Sequence, residues 1–187
     1  LIRDVTESEN FVKRLEEAAY IDTLTGLYNR RHFSEIAAPI IERARRTGTP
    51  YYFMMVDIDD FKDVNDVHGH LAGDAVLRGV AQTMKQTVRP YDILARWGGE
   101  EFMLIITDID EPGVLNLSER IRREVAAYAC EYMGKVIGVT ISAGLARNAD
   151  ECGITDLTLR ADEALYTAKA GGKNSVVMWE PPAGGTV

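Results

Sequence analysis

The chain has 187 residues, 46% of them hydrophobic and 27% charged. At about 150 residues per domain this is one globular domain with a short appendage, and it excludes disordered, collagen-like and disulfide-rich classes. With 29 acidic against 21 basic residues the net charge is -8, so a nucleic-acid polymer is a poor electrostatic partner.

Residues 4–20 are rich in Glu, Arg and Lys, with Val5, Phe11, Val12, Leu15 and Ala18 in an incomplete helical stripe. The stripe predicts an N-terminal helix over residues 1–20 that needs a partner to pack on. The chain opens on Leu1 without an apolar leader, so no signal peptide is expected and the sequence reads as a fragment of a longer protein. The longest charge-free stretch, Val136 to Ala146, is far short of the ~20 apolar residues of a membrane span. A cytoplasmic location is expected, with membrane attachment of a longer parent left open. Cys130 and Cys152 have no metal-ligand spacing and are expected to be reduced thiols.

Residues 22–29 read as a loop, and residues 31–46 as a helix carrying Phe33, Ile36, Ala37, Ile40, Ile41 and Ala44. Gly48 and Pro50 stop it. The run YYFMMVDI, Tyr51 to Ile58, has the character of a central strand buried on both faces, with carboxylates at its end. Residues 59–73 read as an irregular polar stretch, after which Val76, Leu77, Val80, Ala81, Met84 and Val88 define a helix ending before Pro90. Residues 92–97 and 100–107 flank Gly98-Gly99, the signal of a β-hairpin. A helix over 112–130, a strand over 136–145, a helix over 155–170 and a short strand over 175–178 follow, then a loose tail over 180–187. Strands and helices alternate around a hairpin, so the fold class expected is α/β (α+β) with a mixed, mainly antiparallel sheet flanked by helices.

Chemistry concentrates in two carboxylate sites, Asp57 closing a strand and Glu100 with Glu101 following the paired glycines. Magnesium is satisfied by one or two carboxylates plus a carbonyl, leaving positions for water and phosphate, and Asp57, Glu100 and the Ile58 carbonyl meet that demand. Gly98 and Gly99 allow a tight turn and let a phosphate or nucleobase approach the main chain. Lys62 could neutralise phosphate charge, and the backbone amides of Asp60 and Phe61 could flank it.

The motifs WGGEEF, DIDDFKDVNDVHGHLAGDAVL, ADEALYTAKAGGKNSV and DTLTGLYNRR, in this spacing, resemble the GGDEF family of diguanylate cyclases. The resemblance runs from about Tyr20 to Val177 and places the domain at residues 21–179. It implies a palm-like, ferredoxin-like fold that condenses two GTP into cyclic di-GMP and two pyrophosphates, across a homodimer, with Mg2+ or Mn2+. It further implies metal binding by Asp57, Ile58 and Glu100, with Glu101 accessory, and proton acceptance by Glu100, with Lys62 beside the reacting phosphates. Asn65 and Asp74 would read guanine, whose N1–H and amino donors require acceptors. His70 would line the pocket, and Lys169 and Lys173 would hold the terminal phosphates. Lysine at position 173, where relatives often carry arginine, keeps the charge but loses the forked donors. Arg89 and Asp92 form an RxxD motif five residues before Gly98 and, with Arg120, match the family's inhibitory product site. An upstream sensor or receiver module is the implied partner, with residues 1–20 as the linker or signalling helix that joins it. The rival reading is a catalytically silent cyclic di-GMP receptor that keeps only RxxD.

Overall fold

The computed structural model describes residues 20–148 and 152–181, so the expected lead-in helix and loose tail lie outside the described residues. Five helices and eight strands follow in the order β1 (Tyr28–Asn29), α1 (Arg30–Thr47), β2 (Tyr51–Ile58), α2 (Phe61–His68), α3 (His70–Thr87), β3 (Ile93–Gly98), β4 (Glu101–Thr107), α4 (Glu111–Ala127), β5 (Ala129–Tyr132), β6 (Lys135–Gly138), β7 (Ile141–Arg147), α5 (Ile154–Ala170) and β8 (Val176–Met178).

Six strands form the main sheet in the order β1-β3-β4-β2-β7-β8. The inner pairings are antiparallel, and only the two outermost, β1 with β3 and β7 with β8, are parallel. All eight residues of β2 are buried, as its unbroken apolar run predicts for a strand covered on both faces. Its side chains alternate between two cores. Tyr52, Met54, Val56 and Ile58 face α3 and α4 with Phe102, Leu104 and Leu145, while Tyr51, Phe53 and Met55 meet Phe33, Ile41, Leu157 and Leu165 of α1 and α5. Each such side chain contributes roughly 1.5–3 kcal/mol by leaving water.

The ends of the elements have local causes. Asn29 caps α1 by accepting from the His32 N–H at 3.0 Å, and Gly48 at φ 66° ends it in the left-handed region. Asp110 caps α4 through the Gly113 N–H at 2.9 Å.

Four expectations are corrected. Residues 59–73 are not irregular, because α2 occupies 61–68 and α3 starts at His70. Phe61 and Val64, three apart, seat this short helix on the core, and its polar faces conceal the pattern. The loop over 22–29 ends in the two-residue strand β1. Helix α4 stops at Ala127, and the single strand expected over 136–145 is two strands. Residues 129–138 instead form the β5–β6 hairpin, turning at Met133 and Gly134 with φ of 48° and 75°, the left-handed pair of a tight hairpin turn. Among the described residues no helix is long and apolar enough to cross a membrane.

Candidate active site

The antiparallel register of β2 and β4 sets Asp57 directly opposite Glu101, and cross-strand partners project from the same face. The Ile58 N–H reaches the Glu100 carbonyl at 3.4 Å, so the end of β2 and the turn between β3 and β4 form one acidic edge. Asp57, Ile58, Glu100 and Glu101 are therefore brought together, although the alternation that sets Glu100 apart from Glu101 makes Glu101 the direct neighbour of Asp57. A bulge at Trp97 shifts the register between Arg96 and Gly98, so Gly98 pairs with Glu101 as the last residue of β3 and the turn itself is Gly99-Glu100, one residue on from the expected Gly98-Gly99. Gly99 has φ 51°, and a Cβ on either glycine would meet nothing within 4 Å, so the main chain of the turn is open to approach.

Burial pushes the Asp57 carboxyl up, and Glu100 and Asp59 add to the rise against the opposing ammonium of Lys169. Glu101 is raised by burial and then by Asp57. The edge thus carries more negative charge than its surroundings solvate, and a cation relieves it. Lys169, from the last turn of α5, supplies one at 2.8 Å from Asp57 Oδ2. Among the described residues no three carboxylate, imidazole or thiol groups converge as a metal cage. Two acidic side chains with a carbonyl beside them are the donor set that a magnesium ion accepts when it keeps water and phosphate in its remaining positions. The residues present fit that ion.

The remaining predicted residues surround this edge at different depths. Lys173 pairs with Asp60, and both lie in the left-handed region, with φ of 64° and 54°. Phe61 is buried as the first residue of α2, and Lys62 beside it is exposed. Asn65 on α2 lies against Gly73 of α3 so closely that a Cβ there would fall 2.1 Å from Asn65 Oδ1. Gly73 thus lets α2 and α3 meet with Asn65 and the half-buried Asp74 at one corner. His70 is exposed at the start of α3.

The RxxD residues form a separate corner after α3. The Arg89 N–H donates to Asp92 Oδ2 at 3.0 Å, its guanidinium donates to the Tyr91 hydroxyl at 3.1 Å, and Arg120 Nη2 donates to the Thr87 carbonyl at 2.8 Å. Asp92 is 7% exposed, its Oδ1 has no hydrogen-bond partner, and burial raises its pKa against the pull of Arg89. An adjoining cavity of about 390 Å³ is lined by Arg89, Asp92, Lys85 and Tyr28. Tyr91 is 55% exposed here.

Two residues that sequence reasoning missed organise the acidic edge. Arg96 grips the Gly99 carbonyl with Nε at 3.0 Å and Nη2 at 2.8 Å, while Nη1 reaches both Asp22 oxygens at 3.2 and 3.1 Å. The signal available was an arginine inside an otherwise apolar hairpin strand, ILARWG. Asp59, 6% exposed, accepts from Thr140, Ser142 and the Asn174 N–H.

Burial pushes Asp22 up, but Thr25 and Arg96 together outweigh it and hold its carboxyl below 3.8. A carboxyl lowered in the folded chain contributes stability that is present above pH 3.8 and disappears as pH falls through its folded pKa. Asp22→Asn is accordingly expected to lower the melting temperature at pH 7 and to flatten the profile below about pH 4, where both proteins converge. Parallel melting curves across that range, with the gap between the two proteins unchanged by acid, would remove the assignment.

The chain matches the family described as "Diguanylate cyclase, GGDEF domain" over residues 19–175. It is 37% identical over 177 residues to the diguanylate cyclase DgcM of Escherichia coli, covering 95% of this chain and 42% of that protein, so it spans about two fifths of its relative's length. Among solved structures, the coiled coil and GGDEF domain of DgcB from Caulobacter crescentus, in complex with c-di-GMP, superposes with a TM-score of 0.89 at 30% identity, over 95% of this chain and 94% of that one. The active GGEEF domain of a diguanylate cyclase from Vibrio cholerae does so with a TM-score of 0.75 at 29% identity, over 82% and 97%. With a family match across most of its length and a sheet-end turn built on GGEEF, the chain belongs to the GGDEF domain family.

Proposed function

We propose that this domain is a diguanylate cyclase output unit in which two copies, each holding one GTP, face each other as a dimer and produce one cyclic di-GMP. In each half-reaction the 3′-oxygen of one GTP bonds to the α-phosphorus of the other, the bond to the β,γ-diphosphate breaks, and pyrophosphate leaves. Glu100 takes the proton of the attacking hydroxyl. The observation that carries this reading is the convergence of Asp57, Glu100, Glu101 and Lys169 beside the open turn at Gly99. A magnesium or manganese ion held by Asp57, Glu100 and the Ile58 carbonyl would supply charge to the phosphoryl oxygens and acidify the hydroxyl.

The chain's own groups divide the remaining work. Lys169 and Lys173 are neutralised by Asp57 and Asp60, and each turns from its carboxylate to the triphosphate when nucleotide arrives. Lys62 and the amides of Asp60 and Phe61, at the start of α2, meet phosphate oxygens where helical N–H groups lack internal partners. Asn65 Oδ1 and the Asp74 carboxylate accept from guanine N1–H and its amino group, while His70 borders the base. Adenine presents an acceptor at N1 and a donor at N6, and it leaves those acceptors unmatched. The buried Asp92 and the cations Arg89 and Arg120 suit a guanine edge and a phosphate of the product, so that product restrains its own synthesis. An upstream sensor or receiver module would set the dimer's arrangement, on the cytoplasmic side where GTP is supplied.

The test is to fuse the domain to a constitutive dimeriser, supply GTP or ATP with magnesium, and identify the products by mass. Cyclic di-GMP from GTP alone, lost on chelation, is the expected outcome. Arg89→Ala is expected to keep the initial rate within about twofold and to remove the slowing as product accumulates. Product binding without turnover favours the silent receptor, and a cyclic product from ATP overturns the guanine assignment.

A further inference from the structure

The turn joining α5 to β8 is a strained one. Gly172, Lys173 and Asn174 lie consecutively at φ of 115°, 64° and 45°, a region that glycine enters freely and asparagine tolerates but a lysine side chain disfavours. Such a conformation persists only where its surroundings over-determine it. The Lys173 N–H donates to the Ala168 carbonyl at 3.1 Å, the Asn174 N–H donates to Asp59 Oδ2 at 3.0 Å, and Asn174 Oδ1 accepts from Arg122 Nη1 at 2.7 Å.

Both partners of Asn174 are themselves fixed. Asp59 also accepts from Ser142 Oγ and Thr140 Oγ1, each at 2.6 Å, and its N–H donates to the Thr140 carbonyl at 2.9 Å. Three of the four lone-pair directions of this buried carboxylate are taken by protein donors, which argues against a ligand role and for a structural anchor. Arg122 on α4 is 17% exposed and is held by Glu119 through Nε and Nη2, both at 3.0 Å. The strained turn is therefore clamped between the β2–α2 corner and β7 on one side and α4 on the other.

We infer that Asp59 and Arg122 are positioning residues that hold the turn, so that the Lys173 backbone is fixed where its ammonium, on leaving Asp60, reaches the outer phosphates of the nucleotide. The inference rests on the GTP reading above. Orientation in advance lowers the ordering cost of binding, so loss of the clamp weakens contacts to the β- and γ-phosphates and spares those to the base and α-phosphate. This deepens the role of Lys173 by naming what aims it, two groups that never touch substrate.

The experiment compares GTP with GMP by titration calorimetry on the whole chain in magnesium. Arg122→Met keeps the length of the side chain and removes its donors. It is expected to weaken GTP binding by about five- to tenfold and GMP binding by less than twofold, with partial recovery in Arg122→Lys. Asn174→Gly keeps a residue that accepts positive φ while deleting the acceptor, so it is expected to leave the melting temperature nearly unchanged and still weaken GTP. Equal losses for GTP and GMP, or unchanged GTP affinity in both variants, would overturn the inference. A parent protein that fails to prefer GTP over ATP would instead remove the functional reading on which the inference stands.

Discussion

Glu100→Gln is expected to reduce cyclic di-GMP formation by about a thousandfold or more, while leaving the domain folded and able to bind GTP. The main chain at this position is held independently of the side chain: the Glu100 carbonyl accepts from Ile58, and the neighbouring Gly99 carbonyl is gripped by Arg96. The substitution therefore changes charge and basicity at one group with little movement of the turn. An amide accepts a hydrogen bond but takes no proton at neutral pH, and removal of a positioned base alone costs roughly 10²–10⁴ in rate. Loss of one of the two carboxylates proposed to hold the cation adds to that. Guanine contacts assigned to Asn65 and Asp74 lie on the α2–α3 corner and are untouched. Turnover measured by product mass in the dimerised domain, beside GTP titration, checks both halves. Activity within tenfold of the parent would move the proton acceptor elsewhere.

The largest stability effect is expected at Gly144. On β7 this residue lies against the backbone of α5, where an added Cβ would come within 2.1 Å of the Ala161 carbonyl oxygen, 2.2 Å of the Leu165 nitrogen and 2.8 Å of the Ala164 carbonyl carbon. These are main-chain atoms, so no side chain can swing aside and the helix itself must back away from the sheet. Gly144→Val is expected to cost about 3 kcal/mol or more, as overpacked cores do. For a chain of this size that lowers the melting temperature by roughly 10 °C. Because α5 delivers Lys169 to Asp57, the displacement also disturbs the acidic edge. Thermal melting of Gly144→Ala and Gly144→Val gives a graded test, and an alanine variant as stable as the parent would show that the helix and strand tolerate more separation.

What the sequence made legible follows physical lines. YYFMMVDI announced a doubly covered strand because eight consecutive buried residues leave no room for polar alternation. The hairpin was legible because its tight turn needs a residue that accepts positive φ, which Gly99 supplies, although the turn falls on Gly99-Glu100 because Gly98 still pairs with Glu101. Helix α2 was hidden because only Phe61 and Val64 of its eight residues are buried, and a polar helix of that length carries little periodic signal. The β5–β6 hairpin was hidden because its turn is Met133-Gly134, with a large exposed side chain in a left-handed position normally marked by asparagine or glycine.

The site divides in the same way. Asp57, Glu100, Lys169 and the RxxD residues stand in short local patterns, so their positions could be proposed from residue types and spacing and then from resemblance. Asp59 and the Asp22 side of Arg96 act through partners 74 to 115 residues away in the chain, and no local window contains such a pairing. A buried aspartate two positions after a candidate metal ligand looks in sequence like another ligand, and only its three hydrogen-bond donors reveal an anchor.

The main sheet is bordered by strands of two and three residues, β1 and β8. Borders so brief offer another chain almost no unpaired backbone along which to zip. Two such domains therefore have no ready route to join by extending one continuous sheet. The face-to-face meeting proposed for synthesis would then be arranged through helices and side chains, a contact that can be made and released without remodelling either partner's interior.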